Sequence, residues 1–196
     1  MTDNTTWILI ALVAALVVLV AALALWRWSR SRALRRQFGP EYDHTVETAG
    51  KRSAAERELL ERRHRVEKLK LRDLGDEERR ELGDRWRRLQ VEFVDRPREA
   101  VDGADKLVTE VMVARGYPKG DFEQRLADAS VEHGRLAPDY RQARQIAERS
   151  RRGLASTEEL RQSLVCYRNL FQELIGVEEV ASLDSTASGT SRELRH

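Results

Sequence analysis

The chain has 196 residues with 35 basic and 33 acidic side chains, so it is long enough for one ordinary domain and close to neutral at net +2. The charge is unevenly placed: residues 1–26 carry only Asp3, residues 27–38 carry five arginines and no acid, and residues 39–196 carry 30 basic against 32 acidic groups. So balanced a main body argues against a general nucleic-acid binder, which needs a basic face to neutralise phosphates, and one cysteine, Cys166, excludes an internal disulfide.

Residues 7–26 read WILIALVAALVVLVAALALW, 20 positions without a charge. At about 1.5 Å per residue they reach roughly 30 Å, the thickness of a bilayer's hydrocarbon core. Trp7 and Trp26 bracket this run and Trp28 lies just beyond it, where amphipathic rings favour the membrane interface. A cleaved signal peptide is the rival reading, since Ala22-Leu23-Ala24 has the A-x-A form. The leader MTDNTT has no basic residue, however, and the apolar run exceeds the roughly 7–15 residues of a signal core. A retained transmembrane helix over 7–28 is therefore expected, with an extracytoplasmic N-terminus over 1–6. Arg27, Arg30, Arg32, Arg35 and Arg36 all follow the span and none precedes it, so the positive-inside rule places the C-terminal side in the cytoplasm. The same arginines, in a juxtamembrane segment over 29–38, suit anionic lipid headgroups. Ala11 and Ala15 allow a close helix–helix approach and hence self-association.

Phe38-Gly39-Pro40 ends the emerging helix, and one or two helical turns follow to Gly50. Lys51 to Leu74 is helical by propensity and dense in charge, with Glu58/Arg62 and Glu61/Arg65 at i, i+4. Its apolar positions Ala55, Leu59, Val66 and Leu69 make a narrow seam, so 39–75 reads as a charged helical spacer lying against a domain or forming a short coiled coil.

The domain itself is expected over 76–176. Asp76-Glu77-Glu78 open a helix with the core stripe Leu82, Trp86, Leu89 and Phe93; Pro97 opens another with Val101, Ala104, Val108, Val111 and Met112. Asp121 caps a short helix through Gln124, with Phe122 and Leu126 inward; Pro138 opens one carrying Tyr140, Ala143, Ile146 and Ala147. Ser156 and Glu159 make a capping box ahead of Leu160, Leu164, Tyr167, Phe171 and Leu174. No segment sustains period-2 alternation between hairpin turns, so the expected class is all-α, a transmembrane helix followed by a soluble antiparallel bundle. Residues 177–196, rich in Ser, Thr and Glu, read as a disordered tail.

The runs FGPEYDHTVE, RWRRLQVEFVDRPREAVDGADKLVTEVMVARGYP, DFEQRLADASVEHG and STEELRQSLVCYRNLFQELI, set behind an apolar helix and an arginine flank, carry a resemblance. The chain resembles, over about 7–176, an uncharacterised family of actinobacterial-type single-pass membrane proteins, often labelled secreted or hypothetical. The resemblance implies the architecture and brings no catalytic residues.

Chemistry-bearing patterns are sparse. His44, His64, His133 and His196 lack metal-ligand spacing, and no Cys pair accompanies them. Glu77-Glu78 and Glu158-Glu159 fall in first turns, where the helix dipole explains them. No phosphate-cradling glycine motif occurs, and GYPKGDFEQR (116–125) reads as punctuation between helices. Trp86 and Phe93 could stack on bases, but their helical spacing points to a core. The expectation is a non-enzymatic, cofactor-free, membrane-tethered cytoplasmic module with a protein-interaction or scaffolding role. Its partners are membrane lipid and either an unknown protein or its own copy, with no nucleic acid. Export behind a cleaved signal, or a small-ligand or enzymatic site built from scattered residues, are the alternatives.

Overall fold

The computed structural model describes residues 2–176, which form eight α-helices and no strand: α1 (Thr2–Phe38), α2 (Pro40–Ala49), α3 (Arg52–Glu67), α4 (Asp76–Asp95), α5 (Pro97–Ala114), α6 (Phe122–His133), α7 (Ala137–Arg151) and α8 (Thr157–Ile175). The polar tail expected over 177–196 lies outside the described residues.

Local chemistry sets the helix ends. The α4 start is held by the Glu78 carboxylate, which accepts from the Gly75 N–H at 2.9 Å, and the α6 start by Asp121 Oδ1, which accepts from the Gln124 N–H at 2.8 Å. At α8 the reciprocal box forms: the Ser156 N–H donates to Glu159 Oε2 at 2.8 Å, and the Glu159 N–H donates to Ser156 Oγ at 3.3 Å. Pro40 and Pro97 each occupy the first helical position, where their missing N–H costs nothing.

The first helix runs unbroken through the arginine flank to Phe38 and stops at Phe38-Gly39-Pro40, as its sequence leads one to expect. The residues SRSRALRRQ contain neither Gly nor Pro and are good helix formers, so nothing stops the helix before Gly39, whose φ of +54° only glycine adopts easily.

Two hydrophobic cores result. The larger gathers Leu82 and Trp86 of α4, Val101, Val108 and Met112 of α5, Tyr140 and Ile146 of α7, and Tyr167, Phe171 and Leu174 of α8. Trp86 and Phe171 stack at 4.9 Å between ring centroids, so the Trp86 face is covered by protein. The smaller core unites Leu34 and Phe38 of α1, Tyr42 of α2, Leu59 and Val66 of α3, and Val131 of α6. Partly buried Leu69 and Leu71, between α3 and α4, pack against both cores. Their segment is pinned where the Arg72 N–H donates to the Arg115 carbonyl at 2.9 Å. The seam residues Ala55, Leu59 and Val66 of the charged helix are thus core residues, and α2 and α3 share packing with α6 and α7.

Buried carboxylates tie helices together. Asp105 of α5 accepts from Tyr167 Oη of α8 at 2.9 Å and from Arg144 and Arg151 of α7 at 2.5 and 2.7 Å. Asp128 of α6 accepts from Arg65 of α3 at 2.8 Å and from Gln124 at 2.9 Å.

Where α1 meets α6, Gly134 lies so close to Phe38 that a Cβ there would stand 2.4 Å from the Phe38 carbonyl oxygen. The obstacle is backbone, so it cannot swing aside. Gly134→Ala is expected to lower stability by about 1–3 kcal/mol, the usual cost of overpacking. Gly83→Ala, where a Cβ meets nothing within 4 Å in mid-helix, is expected to raise it by about 0.5–1 kcal/mol. Denaturation midpoints of the detergent-solubilised chain check both, and equal midpoints for the two variants would refute the close approach.

Candidate functional site

The feature that sets this chain apart is the passage from an uncovered apolar helix into a packed domain. Along α1, consecutive residues Val17, Val18, Leu19 and Val20 are all exposed, and at 100° per residue they look out on every side. Among the described side chains, the most apolar 18-residue stretch of this helix, within Leu12–Phe38, has none that is buried. Three turns further on, Ser31, Leu34 and Phe38 are buried at the spacing of one helical face.

The tryptophans bracketing the apolar run are open, Trp7 at 70% and Trp26 and Trp28 at 60% exposure. Two of the flanking arginines lie over these rings, Arg30 at 5.5 Å from the Trp26 centroid and Arg32 at 5.2 Å from that of Trp28. Arg35 instead turns to the domain, 5.3 Å over the Tyr42 ring and paired with Asp43 at 2.6 Å. Arg27 lines two neighbouring grooves between α1 and the start of α3, while Arg36 is exposed on the last turns. The five arginines are therefore not equivalent, and Arg35 acts in docking.

Sequence reasoning missed the group that fastens this junction. Glu56 of α3 accepts from Ser31 Oγ of α1, from Tyr42 Oη of α2 at 2.9 Å and from Arg52 Nε at 3.1 Å. Arg52 Nε also donates to Tyr42 Oη at 2.9 Å. Burial by itself would raise the Glu56 carboxyl, but the donors on Ser31, Tyr42 and Arg52 outweigh it and hold the group below the usual carboxylate range. Glu56 is one acid among many in a charged helix, and only the return of α2 brings Ser31 to it. Gln37 Nε2 adds a bond to the Val131 carbonyl at 3.3 Å, joining α1 to α6.

The remaining polar clusters serve packing. Glu41 is almost wholly buried and accepts from Arg62 of α3 and Arg141 of α7, both at 3.0 Å, at the floor of a cleft of about 480 Å³ that His44 also lines. His133 stands against Glu173 at 3.3 Å and Arg115 Nη1 at 3.5 Å. Cys166 has Gln142 Oε1 as a neighbour at 3.9 Å, and burial, then Asp139, pushes its thiol up to about 11. No group of three or more His, Cys, Asp or Glu side chains suited to a metal ion occurs among the described residues.

Comparison of the chain with family models, curated proteins and solved structures gave no match, so the junction is judged on its own chemistry. That chemistry has a sign. Because folding lowers the Glu56 carboxyl below its ordinary value of 4.5, its stabilising effect is complete above that value and fades as pH falls through the lowered one. Glu56→Gln is expected to destabilise the chain by about 1–2 kcal/mol at neutral pH and to flatten part of the acid limb of the stability profile. Guanidinium titrations from neutral pH to pH 3 check this; an acid limb of unchanged shape in the variant would remove Glu56 from the junction.

Proposed function

We propose that the chain is a single-pass membrane protein that holds a helical domain against the cytoplasmic face of the membrane, as a protein-interaction or scaffolding module. Its N-terminus lies outside, α1 crosses the bilayer, and α4 to α8 form an antiparallel bundle served by short connections. The module carries out no catalytic step, and its partners are membrane lipid and another protein or a second copy of itself.

One observation carries the reading. From Leu12 the described apolar side chains of α1 are bare on every face, yet the same unbroken helix is locked into the domain from Ser31 onward. A bare apolar helix of this length in water would aggregate, whereas lipid satisfies it without any protein cover. The five arginines following the span favour its C-terminal end inside. Tethering raises the effective concentration of a binding surface without new contacts, which gives the arrangement a physical use. An unbroken helix adds direction: a flexible linker lets a domain tumble, while a helix buried in the domain transmits the tilt of the span to it.

Topology is read with single cysteines in intact cells. Thr2→Cys is expected to react with a membrane-impermeant maleimide from outside, and Val94→Cys, on an exposed position of α4, only after lysis. Cys166 contributes little background because its thiol is buried and held at about 11. The chain should also resist alkaline carbonate extraction. A soluble form in the medium beginning near Leu25 would instead identify a cleaved export signal and overturn the tether.

A further inference from the structure

We infer that the turn between α2 and α3 and the first turn of α3 lie in the headgroup layer of the membrane and, with Arg27 and Arg30, form a composite site for anionic phospholipid headgroups. This rests on the membrane reading of α1 and assigns to the lipid surface Lys51, Arg52, Ser53 and Arg57, residues remote in sequence from the span.

The levels follow from helix geometry. With Trp26 and Trp28 at the interface, residues 27–31 rise about 7 Å above the hydrocarbon boundary, which is the depth of one headgroup layer. From there α1 continues away from the membrane to Phe38. Gly39 then reverses the chain: Arg35 pairs with Asp43 and stacks on Tyr42 at the start of α2, and α3 beyond α2 is bonded back to Ser31 of α1 through Glu56. The ten residues of α2 return about 15 Å, matching the ten residues of α1 from Ser29 to Phe38. The turn at Gly50-Lys51 therefore comes back to the level of Trp28. Two grooves beside α1 agree: one is lined by Trp26, Arg27, Arg30, Ser53, Glu56 and Arg57, and the other by Arg27, Trp28, Ser31, Arg52, Ser53 and Glu56.

The charge of this surface suits a phosphodiester. Arg27, Arg30, Lys51, Arg52 and Arg57 stand against Glu56 and, on the last turn of α2, Glu47, leaving a net of +3 at one level. Glu56 is already engaged by Ser31, Tyr42 and Arg52. Lys51, Arg52, Ser53 and Arg57 are all exposed, and no side chain caps the α3 N-terminus. The positive end of that helix thus adds to the field of the arginines. The exposed rings of Trp26 and Trp28 set the depth at which a headgroup meets these donors.

The test uses the full chain in lipid nanodiscs of phosphatidylcholine, with and without phosphatidylglycerol, each carrying Ser53→Cys or Val94→Cys. The readout is the rate of reaction with an uncharged water-soluble maleimide. Phosphatidylglycerol is expected to slow Ser53→Cys severalfold and leave Val94→Cys unchanged. Adding Lys51→Ala and Arg57→Ala should restore the rate, since each basic residue near an anionic surface contributes a factor of about five. High salt should restore it as well. Equal Ser53→Cys rates in the two lipids would overturn the site while leaving the anchor intact. Protection by free inorganic phosphate in phosphatidylcholine discs would replace the lipid surface by a small-anion site. Failure of the chain to enter the discs at all would sink the anchor and the site together.

Discussion

The close approach of the Phe38 backbone to Gly134 is the contact on which the rest of the arrangement depends. It lets the last turn of α1 sit directly on the end of α6, burying Leu34 and Phe38 in a core with Tyr42, Leu59, Val66 and Val131. Without it, α1 would be a helix joined to a domain by a hinge at Gly39. With it, the apolar helix and the domain share side chains, and the α2 turn returns to the base of α1. The bond from Gln37 to the Val131 carbonyl and the Glu56 network close the same junction from two other sides.

Charge does an unusual share of the packing. Glu41, Asp105 and Asp128 are buried, and each accepts hydrogen bonds from at least one arginine of another helix. Such pairs add little net stability, because desolvation offsets most of their attraction, but losing one partner leaves an uncompensated buried charge. They therefore discriminate against wrong helix registers more than they hold the right one together. The abundance of arginine in this chain finds a structural use here, since a planar guanidinium can serve two acceptors while its stem covers apolar surface. Arg144 does so, pairing with Asp105 and Glu148 while lying over the Phe122 ring.

Much of the helical content was legible because it rests on local rules. Of the stripe Leu82-Trp86-Leu89-Phe93 the first two are buried and the last two partly so, Val101-Ala104-Val108-Val111-Met112 is buried throughout, and the caps at Asp121 and Ser156 form with the partners expected of them. Even the narrow seam of α3 was visible as Ala55, Leu59 and Val66. What periodicity could not convey was that so thin a stripe is enough when small and medium residues face a neighbour closely, so the supposed spacer belongs to the fold. The candidate junction was half visible: the tryptophans and arginines announce themselves by composition, whereas Ser31, Tyr42 and Glu56 are ordinary residues in ordinary places.

By itself, the order of residues determined where helices begin and end and which length of chain is too apolar for water. These properties depend on neighbours within four positions and on summed hydrophobicity. Only the tertiary structure decided that Ser31 meets Glu56, that Arg35 lies over the Tyr42 ring, and that Arg52 and Ser53 line a groove with Trp28. Those outcomes follow from a single reversal at Gly39 and from contacts between residues up to a hundred positions apart, such as Glu41 with Arg141, which no local pattern encodes.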